Sequence, residues 1–171
     1  MLTIIPCTAF EYTAVAALWN AKLQDPQSCW FDGEPNDAAG IAQLMAGGCE
    51  LSVALEDLTP VGFGLWWPTS ELPRLGALAA TSDVVYYRLL AAYCDWGLSL
   101  GATRGYAELG VRQTTERHQM DALGVIEYTA IGFEPVAPDA EPAERVPLLL
   151  RAECDLLVLK QAIAAQVENL S

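Results

Sequence analysis

The 171 residues carry 22 acidic against 9 basic side chains, a formal charge of −13, and 53 % of them are apolar. Lys22 and Lys160 are the only lysines, and phosphate binding needs clustered Lys and Arg, so this field excludes nucleic acid and anionic membranes as partners. Arg88 and Asp95 interrupt the most hydrophobic stretch, which leaves no membrane span of about 18 residues.

The length suits a single domain over residues 1–171, and the slight apolar excess over an average domain leads us to expect a homodimer interface. "LTIIP" at residues 2–6 predicts a buried first strand. No basic residue precedes its apolar run, so it does not read as a signal peptide. Thr8 then caps a predicted helix through "AFEYTAVAALWNAKL", with Phe10, Ala14, Ala17, Leu18 and Leu23 on its buried face. The helix stops before Pro26, and the loop "QSCWFDGEPND" follows with two aromatics and three acids. A shorter helix from Asp37 to Ala46 ends at Gly47 and Gly48. Alternation over residues 50–67 predicts a hairpin turning at Asp57 to Pro60, and residues 74–80 a third strand.

The junction "ATSDVVYY" leads into the clearest helix of the chain, where Val85, Leu89, Ala92, Trp96 and Leu100 recur at steps of three or four and Gly101 lies just past the end. "TRGYAELGV" predicts a strand. A second helix is expected from Thr115 to Ile131, with Gln119, Leu123, Ile126 and Ala130 on one side and Gly132 as its cap. "FEPV" and "RVPLLLRAE" predict two more strands around a surface loop at 135–147, and "LLVLKQAIAAQVENL" a closing helix at about 155–170. The order predicts an α/β fold with a mixed sheet and helices on both faces. Five scattered cysteines without a CxxC or His-Cys spacing predict reduced thiols, a cytoplasmic protein and no metal site.

Two stretches, "CDWGLSLGATRGYAEL" and "ALGVIEYTAIGFEPV", with the hairpin's "PVGFGLW" as a third, resemble the GNAT superfamily of N-acetyltransferases. The second is similar to that family's tyrosine helix ending in Tyr-x-x-x-Gly-Phe-Glu, through Tyr128, Gly132, Phe133 and Glu134. The resemblance spans roughly residues 2 to 150. It implies a mostly antiparallel, splayed sheet, and transfer of an acetyl group from acetyl-CoA to an amine of a small molecule or protein by direct attack.

In that family acyl-CoA lies in a splay between the third meander strand and the strand after the central helix. Its pyrophosphate sits on an Arg/Gln-x-x-Gly-x-Gly/Ala loop. Ungapped alignment puts Thr81, Val84 and Tyr86 at the motif's Arg/Gln and two glycine positions, so the loop is degenerate. Its cofactor contacts would fall to the backbone of Ala80, Ser82, Val84, Val85 and Tyr86. Asp83 adds a charge between the glycine positions: two unit charges about 4 Å apart repel by ~4 kcal/mol at an effective dielectric near 20, against ~0.3–1 kcal/mol gained by an anion at a helix N-terminus. The Ser82 hydroxyl or the Asp83 carboxylate is equally suited to cap the helix instead.

By the same resemblance Tyr128 stands where the family's general acid protonates the CoA thiolate; a packed aromatic is the other reading. Asp121 stands near the family's usual asparagine. Glu108 and Glu71 are candidates for the base that deprotonates the amine, without a motif behind either. His118, in the polar run "RQTTERHQ", is expected at the surface. Trp30, Phe31 and Asp32, with Glu34, lie where the family binds its acceptor, and suit a cationic amine or serve as loop anchors. Two functions stay open: an acyltransferase, or a non-catalytic GNAT-fold binding or dimerisation module that has lost acyl-CoA.

Overall fold

The computed structural model describes residues 1–27, 34–110, 113–133 and 147–170. Four strands, β1 (Leu2–Pro6), β2 (Glu50–Glu56), β3 (Thr59–Trp67) and β4 (Arg74–Ala80), form an antiparallel meander. Strand β5 (Arg104–Gly110) runs parallel to β4, β7 (Pro147–Asp155) pairs antiparallel with β5, and β6 (Glu127–Phe133) closes the far edge in the order β1-β2-β3-β4-β5-β7-β6. The β2–β3 turn is tight because Asp57 and Leu58 take φ of 48° and 69°, the left-handed pair that matches the twist of a hairpin.

Helices α1 (Tyr12–Gln24) and α2 (Ala38–Ala46) cover one face of the meander, burying Val15 and Ile41 against Val53 and Phe63. Helices α3 (Asp83–Ser99) and α5 (Leu156–Leu170) cover the other face, where Leu89, Leu90, Cys94, Leu156, Leu159 and Ile163 make a second core. Glycine permits the closest approach of α3 to β5. A Cβ on Gly105 would lie 2.3 Å from Tyr93 Oη, a hydroxyl that donates to Pro73 O at 2.6 Å.

The expected α/β architecture is present, with three differences. The predicted helix from Thr115 to Ile131 is a two-turn helix, α4 (Thr114–Asp121), followed by strand β6. Gly124, at φ 68°, provides the left-handed residue that ends the helical turn. The alternating "EYTAIGF" then finds ladder partners along β7, from Glu127↔Glu153 to Phe133↔Pro147, and pairing overrides the helical reading. Gly132 is therefore a strand residue, and Tyr128 is a strand residue too. In the first helix, Phe10 is 95 % exposed because residues 9–11 form a turn before α1 begins. Val15, Ala16 and Lys22 are buried in place of Phe10 and Ala17. Leu100, third, caps the end of α3 in an exposed position.

Among the described residues no helix is long and apolar enough to cross a membrane, and no cluster could hold a metal ion. Cys7, Cys49, Cys94 and Cys154 are buried free thiols; Cys29 lies outside the described residues.

Candidate functional site

Strands β4 and β5 pair at only two positions, Arg74↔Tyr106 and Leu75↔Ala107, and then splay. This is the splay that the family resemblance implied between the third meander strand and the strand after the central helix. Its lining comes from β4 (Gly76 to Leu78), β5 (Ala107 to Leu109), Tyr86 on α3, and Gln113, Glu116 and Met120 on or beside α4. What remains open inside is a cavity of about 20 Å³, room for about one water molecule.

The chain's own side chains fill the rest. Tyr86, at the second glycine position of the motif, is 3 % exposed; its ring borders the slot and packs edge-on against Tyr87 at 5.4 Å. Burial, and next the Glu116 carboxylate, hold the Tyr86 phenol well above its ordinary pKa. Lys22, reaching in from α1, makes a buried ion pair with Glu116 of α4. Beyond α1 the carbonyl of Gln27 accepts the Thr115 N–H at 3.1 Å and the Thr114 hydroxyl at 3.3 Å.

The junction before α3 is built as a capped helix. Ala80 ends β4 opposite Gly62, and Thr81 N–H donates to Val61 O at 3.0 Å. Ser82 is extended, and its Oγ accepts from Val85 N–H at 3.4 Å. Val84 is half-buried, and Val85 is buried against the strand, where a Cβ on Gly62 would come within 2.7 Å of it. Asp83 Oδ1 accepts from Gln119 Nε2 at 2.7 Å, a side-chain bridge from the first turn of α3 to α4. These residues do not fit a pyrophosphate held as the family's glycine loop holds it: the helix end carries a hydroxyl cap, and the Asp83 carboxylate has the anion's own sign.

The remaining sequence candidates do not converge on this slot. Tyr128, on the edge strand opposite Ala152, lies under the Arg117 guanidinium at 3.9 Å, and its hydroxyl is buried. Burial and then the Asp121 carboxylate raise its pKa. It is absent from the described residues lining the slot. Glu108 does border the slot, but it is engaged by Arg74 Nη2 at 2.6 Å. Glu71 is exposed and reaches Arg151 at 3.7 Å. His118 is exposed, as expected. Trp30, Phe31 and Asp32 lie outside the described residues.

Moving the helix-ending glycine from Gly132 to Gly124 also moves the motif. Counting back the same four residues lands on Met120, which is buried and whose thioether has no proton to give. Sequence reading missed Lys22 and Glu116 altogether. The signal was present: Glu116, Met120 and Leu123 share one helical stripe and are buried together, and a carboxylate on an apolar stripe requires a cation.

No known family profile matches the sequence, and no curated protein matches it. Solved structures do. The putative acetyltransferase yncA of Salmonella typhimurium, determined with its cofactor acetyl-CoA, superposes at a TM-score of 0.66 with 14 % identity over 91 % of this chain and 94 % of that one. The ribosomal-protein-alanine N-acetyltransferase of Brucella melitensis gives 0.68 and 14 % over 90 % and 99 %. An N-acetyltransferase of Staphylococcus aureus Mu50 gives 0.68 and 11 % over 91 % and 99 %. This chain has the GNAT fold.

Proposed function

We propose that this protein is a GNAT-fold binding or dimerisation module that works without acyl-CoA. We read the slot as closed: the pocket between β4 and β5 is about 20 Å³, and the buried Tyr86 and Glu116 border it. Acyl transfer remains the second reading, favoured by the likeness to a structure that holds acetyl-CoA. It would require the Tyr86 ring to leave its pocket. Under that reading Tyr128 is the acid, Glu108 the base, and the backbone from Ala80 to Tyr86 the cofactor's support.

Thermal melts of the purified chain with acetyl-CoA at about 1 mM separate the two. A ligand at 1,000 times its Kd stabilises by ~4.1 kcal/mol, which at about 2–4 °C per kcal/mol raises Tm by roughly 8–16 °C for a chain of this size. We expect no shift. A rise of that order, or saturable heat in calorimetry, overturns the proposal in favour of the acyltransferase, and loss of turnover in Tyr128→Phe would then identify the acid. Sedimentation at two concentrations tests the dimer; a strict monomer removes that half of the reading.

A further inference from the structure

The root of the splay is closed, but its cavity is not apolar throughout. Tyr86 borders it, is 3 % exposed, and has a buried hydroxyl with no hydrogen-bond partner among the described residues. A buried hydroxyl left unsatisfied costs free energy that native proteins avoid. The cavity is about 20 Å³, above the roughly 10–15 Å³ that one water needs and far below what an organic ligand needs. A water also needs two to four polar neighbours. Glu108, Gln113 and Glu116 border the same space.

The donors and acceptors match in direction. Ionised carboxylates only accept, and a phenol has one hydrogen to donate. Glu116 lies close enough for its field to act on the Tyr86 hydroxyl. A group that accepts from the phenol and donates to a carboxylate satisfies the phenol, and water does so. The Gln113 side-chain oxygen already accepts from Gly110 N–H at 2.9 Å, and its second lone pair is available for the water's other hydrogen.

We propose that the root of the β4–β5 splay is a binding site for a single buried water, which accepts from Tyr86 Oη and donates to Glu116. The proposal rests on the closed-slot reading. It assigns Tyr86 a second role: besides filling the cofactor's place with its ring, it carries the hydroxyl that anchors the water.

High-resolution crystal structures of the wild-type chain and of Tyr86→Phe, together with their melting curves, test it. The expected result is one density peak within hydrogen-bonding distance of Tyr86 Oη, lost in Tyr86→Phe, and a Tm about 2–4 °C lower for the variant. A cavity without density, xenon uptake by wild-type crystals under pressure, or a Tyr86→Phe chain that melts at or above wild type would each overturn the water site. Acetyl-CoA binding by a wild-type chain that shows the water would instead overturn the closed-slot reading alone.

Discussion

Lys22 and Glu116 form a buried ion pair. Removing one member of a buried pair costs about 3–5 kcal/mol, whereas replacing both with apolar side chains of similar volume is close to neutral. Lys22→Met is therefore expected to lower Tm by roughly 6–20 °C, and Lys22→Met combined with Glu116→Leu to recover most of the loss. Differential scanning calorimetry reads both; a double variant that melts as low as the single one would mean that the two charges are not coupled. The sequence located Tyr86 at a glycine position, but not the direction of its ring. A tyrosine in the first turn of a helix can face solvent or sheet, and here the gap left by two strands that pair only at Arg74↔Tyr106 and Leu75↔Ala107 receives it. The Lys22–Glu116 contact joins residues 94 positions apart, a distance over which no local pattern operates.

Helices and strands whose hydrophobic period is unbroken were legible: the meander, α2, α3, β5 and α5 fall within a residue or two of the sequence reading. The failure at residues 122–131 came from a segment whose apolar residues fit two periods at once, and where the partner strand β7 lies further along the chain. The two readings make opposite demands on two glycines. If Gly132 capped a helix it would need a positive φ; in the structure that conformation belongs to Gly124, at φ 68°, and a Cβ on Gly132 meets only Leu149 Cβ at 3.7 Å. Gly124→Ala is expected to cost about 1–2 kcal/mol and Gly132→Ala almost nothing, as read from urea midpoints. The reverse order would restore the long helix.

Over the whole molecule, deprotonation of buried thiols contributes to the loss of stability at alkaline pH. Burial pushes Cys7, Cys94 and Cys154 from the ordinary 9.0 up to about 12. In the unfolded chain they ionise near 9, so between roughly pH 9 and 12 the unfolded state binds fewer protons and stability falls as pH rises. Chemical denaturation should give a flat response just below pH 8 and a declining midpoint above 9, with a shallower decline in Cys94→Ala; a midpoint constant to pH 11 would contradict this. The fold as a whole was readable because element order and turns lie in the sequence, while the state of the slot depends on which distant side chains meet in it. Mechanically, the sheet is two leaves, β1–β4 and β5–β7–β6, hinged at a two-pair seam. In a protein whose leaves are bridged by a ligand, opening and closing follow occupancy. Here a strut, Lys22 to Glu116, joins the helix on one leaf to the helix on the other. Amide exchange at Ala107 to Leu109 should quicken when the strut is cut by Lys22→Met, while β2 and β3 keep their rates.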